Sequence, residues 1–171
     1  ENILSKIDKS QFELYALSNL EVNSHDVMTN DLKKIFDNWY DTVNLSDNEF
    51  IDLARGLDLD ILFDLSGYFS GNRIQAFRAR CAPTQVSWLG YCNSLGIKNM
   101  DYLIADKNLI LKDEQDQYSE KVLYMPNIWS TISLPKNLDQ IIIKQNKKNN
   151  IFTYGSFNNF EKISESVLKV W

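Results

Sequence analysis

Apolar positions along the chain switch repeatedly between extended and helical spacing. Residues 11–18 carry Phe12, Leu14, Ala16 and Leu17 and end in polar Ser18-Asn19, which predicts a strand. Met28, Leu32, Ile35, Phe36 and Trp39 then recur at i, i+4, i+7, i+8 and i+11, the stripe of an amphipathic helix running to Trp39. Ser46 followed by Glu49 is a capping-box pattern, in which each side chain satisfies the other's free backbone N–H. Behind it, Phe50, Leu53, Ala54 and Leu57 share one helical face. Asp60-Ile-Leu-Phe-Asp-Leu65, short, apolar and closed by Ser66-Gly67, reads as a buried parallel strand. Strands and helices alternating through short links predict an α/β fold with a doubly wound parallel sheet.

The middle of the chain is richer in turns. Residues 71–81 predict a short helix that Pro83 breaks, and residues 85–89 predict another strand. Two more short strands are expected at 102–105 and 121–125, the second ended by Pro126. The lysine- and asparagine-rich end of residues 135–150 is the best linker candidate, although a solvated loop fits it equally well. Residues 151–154 then predict a strand, 155–161 a turn, and Ile163, Val167, Leu168 and Trp171 the start of a helix. A unit of that size cannot bury its own apolar faces, so further chain is expected beyond it.

Composition changes the picture only in part. With 171 residues, 44% hydrophobic and 24% charged, the chain is an ordinary globular one with room for about one full core. No apolar run approaches the roughly 20 residues that span a bilayer. The first residues lack a signal-peptide layout, so a soluble, cytoplasmic protein with no membrane partner is expected. Cys81 and Cys92, the only cysteines, match no zinc spacing and are expected to be reduced and structural. The net charge of -5 argues against nucleic acid as a partner. The charge is uneven, however. Residues 1–64 hold 14 acids and 5 bases, whereas residues 65–171 hold 9 acids and 13 bases, a balance that suits an anionic ligand or simply a solvated surface.

In a doubly wound sheet, ligands sit on the loops that follow the strands. Three such loops stand out. Residues 64–73 place two glycines, an aromatic and hydroxyls after a strand, suited to a polar ligand or to a plain turn. Residues 88–96 include Gly90, where the lack of a Cβ permits close backbone approach, beside Trp88 and Tyr91, which fit a core equally well. Residues 155–162 lead into a helix, whose free N–H groups and Lys162 could receive a phosphate. His25, the only histidine, is expected at the surface, so no histidine-based catalytic triad is visible. Asp60 and Asp64 flank one strand roughly 13 Å apart, too far for a paired-carboxylate hydrolase. From these residues alone the catalytic groups stay unassigned.

A set of motifs carries the reading further. Asp60-Ile-Leu-Phe-Asp-Leu-Ser-Gly-Tyr68, Gly71-Asn-Arg73, Phe77, Arg80-Cys-Ala-Pro83, Gln85-Val-Ser-Trp-Leu-Gly-Tyr91 and Met100-Asp-Tyr102 closely resemble the catalytic region of the protein O-GlcNAc transferases. So do Tyr118-Ser-Glu-Lys121 with Tyr124-Met-Pro126, and Phe157-Asn-Asn-Phe-Glu-Lys-Ile163. The resemblance runs from Phe12 to Trp171 and is densest over residues 60–126. It implies a GT-B architecture of two Rossmann-like lobes facing each other across a cleft. On that map residues 1–148 are an incomplete N-terminal lobe and residues 149–171 the first strand–turn–helix of the nucleotide-sugar-binding lobe. The family's first strand and its histidine-bearing loop would precede residue 1, and most uridine-binding residues would follow Trp171.

The resemblance also implies an inverting, metal-independent transfer of N-acetylglucosamine from UDP-GlcNAc to serine or threonine of proteins. The donor is a substrate, with no further cofactor, and tetratricopeptide repeats are expected in the full-length chain. Leu89 and Gly90 resemble positions lining the donor sugar and diphosphate, and Lys162 resembles the lysine that pairs with the diphosphate. Asn159 stands at a donor-contacting glutamine position. Tyr68 and Ser70 fall in the acceptor-side loop, where Phe69 and Ser70 replace the threonine and lysine of animal members. Glu161 replaces a tyrosine at a site implicated in activity. Alone, this stretch is expected to be inactive. A related UDP-hexose-dependent protein N-glycosyltransferase and a non-catalytic interaction module that kept the fold are the two other readings.

Overall fold

A computed structural model of the protein describes residues 3–131 and 155–171. The expected linker at 135–150 and strand at 151–154 lie outside the described residues, as does the expected division at 148. The chain divides into two compact units, Glu1–Ser133 and Leu134–Trp171.

The first unit carries two parallel sheets. Strand β1 (Tyr15–Ser18) pairs with β2 (Asn38–Asp41), and β3 (Ile61–Asp64), β4 (Thr84–Ser87), β5 (Tyr102–Ala105) and β6 (Lys121–Tyr124) follow in that order in the second sheet. Every ladder is parallel. Helices α1 (Val27–Lys33), α2 (Asp47–Gly56) and α3 (Ile74–Arg78) lie in the connections. Among the described residues no ladder joins the two sheets.

Local chemistry explains most boundaries. Asp26 caps α1 by accepting the Thr29 N–H at 2.8 Å. The Ser46–Glu49 capping box forms as expected: the Glu49 carboxylate accepts the Ser46 N–H at 2.8 Å, and the Ser46 hydroxyl accepts the Glu49 N–H at 3.4 Å. Phe50 and Ala54, on the predicted face of α2, are buried.

The helix expected through Trp39 ends early. It stops at Lys33, and Trp39 and Tyr40 lie in β2, where flat aromatic side chains suit a pleated surface. Asp37 makes the switch possible. Its carboxylate accepts the Leu14 N–H and the Lys9 ammonium, each at 2.7 Å, and so ties the turn before β2 to the start of β1. The Lys9 hydrogen bond, then the Leu14 N–H, hold that carboxyl below its usual pKa. Strand β3 is parallel as expected but covered on one face only. Leu62 and Asp64 are buried, whereas Ile61 and Phe63 are 50% and 44% exposed. Successive side chains point to opposite faces of the sheet, and the core covers only the Leu62 face; the inner strand β5 alternates in the same way.

The core lies on the Leu62 face. Phe50 and Ala54 of α2, Ile74, Ala76 and Phe77 of α3, and Leu95, Ile97 and Met100 from the β4–β5 connection pack together, with Leu17 of β1 against them. A smaller cluster of Leu103, Ala105, Ile110 and Val122 continues it toward β6. Gln85 is the fully partnered polar side chain of this layer, whereas the buried Ser87 hydroxyl of β4 has no partner among the described residues. Buried Gln85 accepts the Cys81 N–H at 2.9 Å and donates to the Phe77 and Asn99 carbonyls. Cys81 is buried and Cys92 exposed, both free thiols, and burial pushes the Cys81 thiol pKa up.

In the second unit, a short 3₁₀ turn (Phe160–Lys162) precedes helix α4 (Glu165–Val170), whose cap Ser164 accepts the Val167 N–H. Among the described residues no helix is long and apolar enough to cross a membrane.

One side chain links the two sheets of the first unit. Arg73 donates to Asn19 Oδ1 after β1 (3.1 Å), to the Thr42 carbonyl after β2 (2.6 Å) and to Asp47 in α2 (3.1 Å). We expect Arg73→Ala to cost about 2–3 kcal/mol, because it removes three hydrogen bonds at once, one of them to the Asp47 carboxylate, from a side chain that is 13% exposed. Arg73→Lys should recover little, since one ammonium cannot fork to three acceptors. Urea unfolding of each variant measures both values. A loss under about 0.5 kcal/mol would show the sheets holding together without it.

Candidate functional site

All strands of the first unit run parallel, so the loops after them gather at one edge of their sheet. Residues 65–73 follow β3 and residues 88–101 follow β4. Tyr68, Ser70, Leu89 and Gly90, expected on this side of a ligand cleft, therefore belong to adjacent loops.

The first loop is built around Asp64, whose carboxylate accepts the Ser66 N–H at 3.1 Å and the Gly67 N–H at 2.9 Å. Asp64 is 4% exposed, and desolvation raises its pKa, opposed by those two N–H bonds. Gly67 then turns at φ 57°, and a Cβ there would fall 2.2 Å from the Tyr91 Cβ. Glycine is thus required by conformation and by packing together. The turn exposes Tyr68, Phe69 and Ser70 while its backbone stays bonded: Phe69 N–H donates to Ser66, and Asn72 holds the Phe69 carbonyl through N–H and side chain.

The second loop is tighter still. Gly90 N–H donates to the Trp88 carbonyl at 2.9 Å, and Leu89 between them sits at φ 69°. A hydrogen bond two residues back across a positive φ marks the rarer, strained form of the γ-turn. Strain of this kind costs on the order of 1–3 kcal/mol and persists only where surroundings enforce it. The enforcing contact is visible: a Cβ on Gly90 would lie 2.0 Å from the Leu65 carbonyl oxygen. Gly90 thus lies directly against the backbone of the neighbouring loop. Leu89 itself is 37% exposed at the turn.

The two loops are joined by aromatic contacts. The Tyr68 hydroxyl donates to the Leu95 carbonyl, and the Tyr68 and Tyr91 rings meet edge to face, 5.5 Å apart at 85°. Trp88 Nε1–H donates to the Trp129 carbonyl at 2.7 Å, anchoring the loop at its base. In the second unit, Asn159 and Lys162 occupy one 3₁₀ turn. Asn159 Oδ1 accepts the Glu161 N–H at 3.1 Å, the Lys162 N–H donates to the Asn159 carbonyl, and the Lys162 side chain is exposed. Lys162 stands two residues before the α4 cap rather than on the helix, and the Ser164 hydroxyl already takes the Val167 N–H.

Three residues that matter here were given no role from the sequence: Asp64 as the loop's anchor, Arg73 as the tie between sheets, and Leu95 as the carbonyl that receives Tyr68. Asp64 and Arg73 stand inside the motifs quoted above, but nothing in their spacing marks which charges turn inward. His25 also departs from expectation. Its side chain is 10% exposed, packed between Lys33 at 3.2 Å and Asp41 at 3.5 Å.

The geometry of parallel-strand loops agrees with a family comparison. The Glycosyl transferase family 41 profile matches residues 2–150. The chain belongs to glycosyl transferase family 41. The rice protein named "Probable UDP-N-acetylglucosamine--peptide N-acetylglucosaminyltransferase SPINDLY" is 31% identical over 133 residues, covering 78% of this chain and 14% of that protein. The Arabidopsis thaliana protein of the same name ending in SEC is 24% identical over 184 residues, covering 98% of this chain and 19% of its own length. A solved structure of a Thermobaculum terrenum O-GlcNAc transferase point mutant superposes with a TM-score of 0.70 at 33% identity, over 74% of this chain and 24% of that one. The family 41 chain thus has the α/β fold with parallel sheets expected of it, and it spans under a fifth of these two plant relatives' length.

Two outcomes test the edge as described. Gly90→Ala should destabilise by more than about 2 kcal/mol, because the added methyl meets backbone and cannot be relieved by a rotamer change; a neutral result in urea unfolding would refute the interlock. Asp64 gives a pH test. Its folded pKa is raised above the unfolded value of about 3.9, so its charge opposes folding increasingly as pH climbs through the folded pKa. Asp64→Asn should therefore gain stability relative to the parent between pH 4 and pH 7. A flat difference across that range would show that Asp64 is not desolvated.

Proposed function

We propose that the complete protein is an inverting, metal-independent glycosyltransferase that moves N-acetylglucosamine from UDP-GlcNAc to serine or threonine of proteins. The observation that carries the proposal is the family 41 match along residues 2–150, together with relatives whose names specify UDP-N-acetylglucosamine and peptide. The first unit supplies part of the N-terminal lobe, with the Leu89-Gly90 turn toward the donor and Tyr68 and Ser70 toward the acceptor. Residues 149–171 open the second lobe, with Asn159 and Lys162 toward the diphosphate. The division into two sheets supports this map. In the doubly wound order 3-2-1-4-5-6, β2 and β1 take the places of the third and second strands and β3 the fourth. The place between β1 and β3 belongs to the first strand of such a sheet.

In this reading the acceptor hydroxyl oxygen attacks the anomeric carbon from the face opposite UDP. The bond to the diphosphate breaks as the new glycosidic bond forms, and the hydroxyl proton leaves to a base this chain does not identify. Positioning and charge stabilisation carry the catalysis. The Lys162 ammonium neutralises charge gathering on the departing diphosphate, in the role a metal fills elsewhere. The setting is cytoplasmic, and tetratricopeptide repeats elsewhere in the chain gather acceptor proteins.

The complete protein, mixed with UDP-GlcNAc or UDP-glucose and a protein lysate, should add an N-acetylhexosamine mass to serine or threonine. A hexose on asparagine would replace the proposal with a protein N-glycosyltransferase. No mass shift and no UDP binding would leave an interaction module. Lys162→Ala should weaken UDP binding by about 1.5–3 kcal/mol, read by calorimetry, and the purified 171-residue chain should transfer nothing.

A further inference from the structure

We infer that Glu120 is a positioning residue that holds both loops of the candidate site in register, from beneath and without touching substrate; this rests on the assignment of those loops above. Glu120 directly precedes β6 and is 1% exposed. None of the ion pairs among the described residues involves it. A buried carboxylate without a cation is costly unless several donors surround it. Three do. Oε1 accepts the Leu95 N–H at 2.7 Å, and Oε2 accepts the Ser94 hydroxyl at 2.7 Å and the Ser119 hydroxyl at 3.0 Å. The Ser94 oxygen in turn accepts the Gly96 N–H at 3.1 Å. Bonds to an ionised acceptor are the stronger kind, so this stretch of the β4–β5 connection is pinned harder than an ordinary loop.

What lifts the arrangement above loop support is where Leu95 leads. Its N–H is fixed by Glu120, and its carbonyl receives the Tyr68 hydroxyl from the other loop. Leu95 is itself 2% exposed in the main core. Tyr68 then meets Tyr91, whose Cβ fills the space left by Gly67. One residue of backbone therefore stands between a buried charge and the exposed ring expected to face the acceptor. Displacing Leu95 shifts the loop that carries Leu89 and frees the loop that carries Tyr68 together. Nearby, the Glu120 carbonyl accepts from Gln115 at 3.1 Å, which fixes the carboxylate's own backbone.

Hydrogen exchange read by mass spectrometry on the complete protein, with kinetics beside it, tests the inference. Glu120→Gln keeps the shape and an acceptor for Leu95 but loses the charge and the second acceptor oxygen; Ser94→Ala, at a partly exposed position, removes one donor to the carboxylate and the acceptor of the Gly96 N–H while leaving Glu120 itself intact. Both should speed exchange in segments 66–73 and 88–97 together, by tenfold or more for Glu120→Gln and less for Ser94→Ala, with the β3–β6 amides unchanged. The KM for UDP-GlcNAc and for an acceptor peptide should rise at least fivefold in Glu120→Gln, with kcat falling less than threefold. Loosening of 88–97 alone, equal acceleration across all strands, or unchanged exchange would each overturn the inference. Should the parent bind no UDP-sugar, the proposed function fails, while the exchange pattern still decides whether Glu120 couples the loops.

Discussion

The guanidinium of Arg73 is the most heavily bonded tie between the two sheets of the first unit, beside the Asn19–Gly71 hydrogen bond and the packing of Leu17 on the core. Among the described residues no ladder joins the β1–β2 sheet to the β3–β6 sheet, and Arg73 closes three hydrogen bonds to the ends of β1 and β2 and the start of α2. Its position explains why an arginine is needed. The side chain is 13% exposed and lies over the Phe50 ring at 5.3 Å, so its charge is spread against a π face while its N–H groups are consumed. The acceptors come from the ends of two strands and the start of α2, and Asn19 also donates to the Gly71 carbonyl beside it. The loop after β3 is thus tied at its far end to the neighbouring sheet, and at its near end by Asp64.

With both ends fixed, that loop becomes the wall against which the second loop is shaped. Gly90 lies against the Leu65 carbonyl, and the cost of the positive φ at Leu89 is borne by this contact and by the anchored Trp88. Strained turns in flexible settings relax; here each loop denies the other the room to do so. The proposed transfer depends on placement of the reacting atoms, and rigidity of this kind is what such placement requires.

The sequence made strands and caps legible where short-range chemistry decides them. The Ser46–Glu49 box rests on neighbours three residues apart, and the β5 and β6 strands and the buried face of α2 follow the spacing of apolar residues within each short segment. It misplaced the end of α1 because Ile35, Phe36 and Trp39 keep helical spacing past the point where Asp37, held by Lys9 and Leu14 from far along the chain, turns them into a strand. It also made β3 too buried, since an apolar run does not reveal that the core covers only one face of its strand. The loops were legible as loops, and the motifs marked their likeness to a family. Their coupling was not, because Leu95, Glu120 and Tyr68 meet only after two crossings of the sheet.

The uneven charge along the chain takes on a definite meaning in the folded protein. Several acids of the first half are spent on the fold: Asp26 and Glu49 on local caps, Asp37 on the distant Leu14 N–H and Lys9, Asp47 on the Arg73 side chain. The arginines of the second half are spent as well. Arg73 joins the sheets, and Arg80 grips Asp101 with two hydrogen bonds of 2.8 and 2.9 Å, which raises the Arg80 pKa and lowers that of Asp101. Arg78 lies on α3 rather than on the edge loops. Two of the three arginines in this half are therefore committed to the fold, Arg73 to the strand ends and Arg80 to Asp101. What the edge of the first unit offers is steric definition: two loops that fix each other's backbone through the Gly90–Leu65 contact and the Tyr68–Leu95 hydrogen bond.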